Sequence, residues 1–191
     1  MPGPVRKLID QLWGVFALVG LIWLVRLLSL VLDLNQWGLM PRTLSGLVGI
    51  ITMPFLHRDL SDLLGNTVPL TVLLLILRTT RPNSWRILLC LQSGAGVLIW
   101  GLGRPDVLHL GAGPLLYAIA AYLITAGVQE RRPIPIAAAV LVTVLYGTLF
   151  WGLLPTAGTH VFWEGHLFGA VFGVIFATQT LRRLRSRKTT T

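Results

Sequence analysis

Apolar residues run through this chain in blocks rather than in the alternating or one-sided patterns of a soluble fold. Six blocks, at about 8–32, 60–77, 85–102, 111–128, 134–153 and 163–181, come near the roughly 20 residues that a helix needs to cross a bilayer. The breaks between them carry turn and charge chemistry: Arg78-Thr79-Thr80-Arg81-Pro82-Asn83-Ser84, Gly103-Arg104-Pro105-Asp106, Gln129-Glu130-Arg131-Arg132-Pro133 and Pro155-Thr156-Ala157-Gly158-Thr159-His160. Each stops one helix and starts the next. The pattern predicts an all-α membrane protein of six transmembrane helices, forming a single domain over residues 1–191 with a short basic tail from about 182. Between the first and second spans, the stretch from about Asp33 to Arg58 is too long for a simple hairpin connection and too rich in glycine and proline for another span. It reads as a long membrane-associated loop, whose irregular backbone must pack on protein or line water.

Composition agrees: 54% of residues are hydrophobic, 12% are charged and the mean hydropathy is +0.74, whereas a soluble domain is about one quarter charged. The first apolar run is followed by others and has no small-residue cleavage site, so it reads as a retained span. The net charge of +9 does not point to nucleic acid, because the basic residues gather at helix ends. Twelve of the 16 Lys and Arg residues fall at the N-terminus, in the breaks at 78–86 and 131–132, and after 181. Arg42, Arg58 and Arg104 lie on the other side, and Arg26 falls inside the first span, where it can snorkel to an interface. Short cytoplasmic loops are enriched in these residues. Both termini are therefore expected in the cytoplasm of a bacterial-type plasma membrane, with the loops before spans two, four and six facing outward. The single cysteine, Cys90, forms no intramolecular disulfide and reads as a buried, inert thiol.

Three polar clusters fall on the outward ends of spans two, four and six. In His57-Arg58-Asp59-Leu60-Ser61-Asp62-Leu63-Leu64-Gly65-Asn66, Asp62 and Asn66 are four apart and share a helix face. The segment reads either as an ordinary helix start capped by Asp59 or Ser61, or as a carboxyl and a carboxamide aimed into the bundle. The deeper Asn66 favours the second reading, since an unpaired amide there is costly. In His109-Leu110-Gly111-Ala112-Gly113-Pro114-Leu115-Leu116-Tyr117, glycines at a helix start offer free N–H groups that can stabilise an oxyanion. Equally, they allow tight packing against a neighbouring helix. In Trp163-Glu164-Gly165-His166, the imidazole can act as a general base if a hydroxyl lies within reach. Gly169 and Gly173, three and seven residues further on, put that ring on the face that packs against another helix.

These three clusters, in this order and behind a long outer loop, resemble the rhomboid intramembrane serine proteases over nearly the whole chain. The resemblance implies the six-transmembrane-helix rhomboid fold and a Ser-His dyad that cleaves the transmembrane helices of other membrane proteins, without cofactor or metal. His166 then matches the general base, Tyr117 the ring packed on it, and Asn66 the oxyanion-binding asparagine. Gly111 belongs to the glycine-rich opening of span four, and His57 matches a histidine expected to be structural.

Two central positions depart from the family pattern: Gly113 stands where the nucleophilic serine is expected, and Asp62 where a second histidine is expected. Losing the nucleophile of a serine protease lowers turnover on the order of a million-fold. An ionised carboxylate about 4 Å from a developing oxyanion adds up to roughly 4 kcal/mol of repulsion, although a protonated one could donate a hydrogen bond. Ser93 lies in the inner half of span three, and Ser45 has no visible route to His166. The chain as written is expected to be a pseudoprotease that binds transmembrane segments within the lipid bilayer. The alternative is an active serine protease whose nucleophile has been replaced by Gly113. A small transporter or channel is disfavoured by the absence of repeat symmetry and of a charged pore ring.

Overall fold

The computed structural model describes residues 3–154 and 163–189. The break at 155–160, with His160, lies outside the described residues. The described residues are all-helical, with helices α1 Pro4–Leu28, α2 Gly49–Thr52, α3 Leu60–Thr80, α4 Ser84–Leu102, α5 Gly113–Glu130, α6 Pro133–Tyr146 and α7 Trp163–Thr189. Among them, Ile9–Leu28, Leu60–Thr80 and Ser84–Leu102 are long and apolar enough to cross a membrane. At 1.5 Å per residue, the 21 residues of α3 span about 31 Å, the thickness of a bilayer's hydrocarbon core.

Helix α5 is the axis of the bundle, with Leu115, Leu116, Tyr117, Ala118, Ile119, Tyr122 and Leu123 buried along successive turns. It packs most extensively on α7 and α6, and α3 and α4 also lie against it. The side chains of Trp13, Phe16, Leu24, Val68, Leu89 and Val144 point out of the bundle, as expected where lipid replaces water as the solvent. Lipid also removes the hydrophobic drive between helices, so close approach by small residues matters more. At Gly169 and Gly173 of α7, any side chain would strike the backbone carbonyls of Pro114 and Ala118 on α5.

The segment between α1 and α3 folds into one-turn helices over the end of the bundle where α3, α5 and α7 begin, here called the upper end. It satisfies its polar groups on the protein: Leu39 and His109 exchange both backbone N–H···O bonds, at 3.0 and 2.8 Å. The Trp100 indole N–H donates to the Thr43 carbonyl at 2.8 Å, and the Gln92 amide donates to that of Ile50 at 2.6 Å. At the opposite end, Arg81 pairs with Glu130 and stacks over Tyr122, joining α3 to α5.

Four boundaries and exposures differ from the sequence reading. Helix α5 starts at Gly113, not 111, because Gly111 adopts φ +100°, a left-handed conformation outside any right-handed helix. Helix α6 gives way at Gly147 to a 3₁₀ stretch over Gly147–Leu153. Helix α7 continues to Thr189, so the basic run after 181 is a helix extension; Arg and Lys are good helix formers and suit a C-terminal turn. Cys90 is exposed on the outside of α4, correcting the expectation of a buried thiol.

Candidate active site

A cavity of about 400 Å³ opens between the upper ends of α3, α5 and α7, bounded by Asp62, Asn66, His109, Gly113 and His166, with Arg58 and Asp59 also lining it. All three polar clusters singled out in the sequence thus reach one space.

The α5–α7 wall is built by packing. The His166 imidazole stacks on Tyr117, with ring centroids 4.2 Å apart and planes 12° from parallel. Its Nδ1 lies 3.1 Å from the Gly152 carbonyl oxygen. A carbonyl only accepts, so Nδ1 carries the proton and, in the neutral ring, Nε2 keeps its lone pair. That nitrogen points at Gly113, where an added Cβ would lie only 2.5 Å from it. The imidazole therefore sits in the space that a side chain at 113 would need. Gly152 reaches the ring because it has no side chain, which would otherwise collide with the Tyr117 hydroxyl. No sequence signal marks this orienting carbonyl, since every residue except for its side chain offers the same acceptor.

The α3 wall is built by hydrogen bonds. Asp59 caps the helix, its Oδ1 accepting from the Asp62 N–H at 2.9 Å. The Asn66 amide nitrogen donates to the Asp62 carbonyl oxygen at 2.7 Å and to Asp62 Oδ1 at 2.8 Å. The nitrogen has two hydrogens, and these two acceptors match them. Asp62 Oδ2 faces Gly111, where an added Cβ would lie 3.4 Å away, and accepts a long bond from the Arg58 N–H, also 3.4 Å.

The floor is tied to the loop over the bundle. His109 is buried, and burial pushes its imidazole down to about 4, against the pull of Glu164. Glu164 pairs with Arg104 at 2.9 Å, fastening the α4–α5 connection to the first turn of α7. His57 is buried between α1 and α3, beside Val19, Ile22 and Leu63, and burial lowers its pKa as well, partly offset by Asp62. The sequence reading missed the position of His109 and the Arg104–Glu164 pair.

The Rhomboid domain family model matches residues 44–183, from the α1–α3 connection into α7. The chain belongs to the rhomboid family. Similar proteins include uncharacterized proteins of Mycobacterium tuberculosis and Mycobacterium bovis, each 33% identical over 177 residues, covering 85% of this chain and 72% of the relative. An uncharacterized protein of Mycobacterium leprae is 30% identical over 186 residues, covering 90% of this chain and 73% of its own. No solved structure matches the chain. As a rhomboid-family protein it is a multi-pass membrane protein, and the cavity lies at the upper end of its helices.

Proposed function

We propose that this rhomboid is a pseudoprotease: it binds transmembrane segments of other membrane proteins and does not cleave them. The observation that carries this reading is the pairing of the two walls. Gly113 supplies no hydroxyl to His166, and both hydrogens of the Asn66 amide are held by Asp62. An acyl-transfer site needs a nucleophile and donors aimed at the developing oxyanion. Position 113 offers no nucleophile and the Asn66 donors are engaged, while His166 and its stacking partner remain. The alternative, an active protease whose serine has been replaced by Gly113, accounts for one of these two changes but not for Asp62.

In this reading all six apolar blocks cross the plasma membrane as one domain, with both termini cytoplasmic. The distribution of Lys and Arg supports that orientation. Cysteine labelling on a Cys90-free background tests it: position 106 should react from outside and position 131 only after permeabilisation. The reverse pattern would refute the orientation. For function, the full chain is reconstituted with a fluorescent transmembrane peptide carrying a photo-crosslinker. Crosslinking without cleavage is expected; efficient cleavage, or no crosslink above a lipid-only control, would refute the proposal.

A further inference from the structure

The hydrogen-bonding polarity of the cavity identifies what it can hold. An oxyanion requires donors, yet the Asn66 donors point into Asp62. Two acceptors face the space beside the donors of Arg58 and Ser61. Both Asp62 oxygens accept N–H bonds, the pattern of a carboxylate, and Oδ2 keeps capacity beyond its long 3.4 Å bond from the Arg58 N–H. His166 Nε2 is a second acceptor, because Nδ1 donates to Gly152.

Asp62 stands over Gly111 and His166 over Gly113. Asp62 and His166 line the same cavity, so a cation inside it meets acceptors on both the α3 and the α7 side. The cavity, about 400 Å³, has room for it. Resting on the transmembrane-binding reading above, we propose that the cavity takes the primary ammonium of a lysine near the end of a partner transmembrane segment.

The chemistry of lysine fits the depth as well as the charge. Its four-carbon stem lies along apolar surface while the ammonium reaches toward the interface. Its three N–H donors suit a carboxylate and an imidazole lone pair. Within a membrane, ionisable residues pair with one another because the unpaired charge is expensive. Arg58, on the rim of the same cavity, opposes a second cation and so limits affinity.

The test uses full-length protein in nanodiscs and two otherwise identical transmembrane peptides, one with lysine and one with norleucine one turn inside the end that meets the cavity. The lysine peptide should bind about ten-fold more tightly. Asp62→Asn, which preserves shape and the bond from Asn66, should reduce that preference to less than two-fold, and Arg58→Gln should enlarge it. Equal binding of the two peptides, or a lysine preference unchanged in Asp62→Asn, would overturn the inference while leaving transmembrane binding intact. Failure of both peptides to bind would instead overturn the pseudoprotease reading on which it rests.

Discussion

The two walls of the cavity are organised by different forces. On the α5–α7 side, His166 is fixed by a ring stack, a backbone carbonyl and the close seat of Gly169 on Pro114. All of these hold without any side chain at 113, so the imidazole stays oriented with no hydroxyl beside it. On the α3 side, the direction of the Asn66 donors depends on one neighbour, Asp62. Packing fixes the ring on one wall, whereas on the other a single polar side chain directs the amide donors. Catalytic geometry on one wall therefore says little about chemistry on the other.

The comparison breaks most visibly if the α3 wall does not matter. Gly113→Ser supplies a hydroxyl, although the His166 ring must first withdraw to admit its Cβ. Adding Asp62→His removes the carboxylate and frees Asn66. The double variant should cleave a model transmembrane peptide faster than Gly113→Ser alone by up to about a thousand-fold, the rate equivalent of roughly 4 kcal/mol of repulsion. Equal rates in gel-based cleavage assays would mean that Asp62 does not set the polarity of the site.

A smaller effect comes from the floor shared by both walls. Folded His109 titrates at about 4, below the ordinary 6.5 of an unfolded chain. The unfolded state therefore takes up the proton first as pH falls, and stability present above 6.5 is lost between 6.5 and 4. The loss should reach about 3 kcal/mol, with His57 acting in the same direction. Thermal unfolding in detergent between pH 7.5 and 4.5 should show a shallower decline for His109→Gln than for the parent. Parallel declines would remove His109 from the account.

The smallest effect belongs to the stack. In the Gly113→Ser/Asp62→His background, Tyr117→Leu should slow cleavage by about five-fold, matching the roughly 1 kcal/mol of an aromatic pair. Tyr117→Phe, which keeps the ring, should change the rate less. If the two substitutions are equivalent, the α5–α7 wall is not held by stacking.

Much of the fold could be read from the chain because each apolar block is bounded by proline, glycine or charge, and these also bound α3 and α4 closely and set the start of α6. The glycine periodicity of α7 likewise announced a face in contact with another helix. The start of α5 was misplaced because Gly111 and Gly113 look alike in sequence, and only the former takes a positive φ. Spacing put Asp62 and Asn66 on one face but did not say whether their polar groups meet each other or the cavity. The Gly152 carbonyl and the Leu39–His109 bridge are backbone contacts between distant segments, and side-chain patterns do not encode them. Exposure of Cys90 depended on which side of α4 meets its neighbours, and in lipid the buried side carries polar Ser84 and Gln92, so polarity does not mark the outside.

The central claim, that His166 stands ready beside a site with no nucleophile and with its oxyanion donors held by Asp62, is tested most directly by labelling with a serine-directed fluorophosphonate. The chain as written, Gly113→Ser and Gly113→Ser/Asp62→His would be treated side by side in detergent and resolved by mass. The account predicts no adduct on the first, slow modification of the second and rapid modification of the third at position 113. An adduct formed by the unaltered chain through another hydroxyl, with cleavage of a transmembrane peptide at a comparable rate, would contradict it.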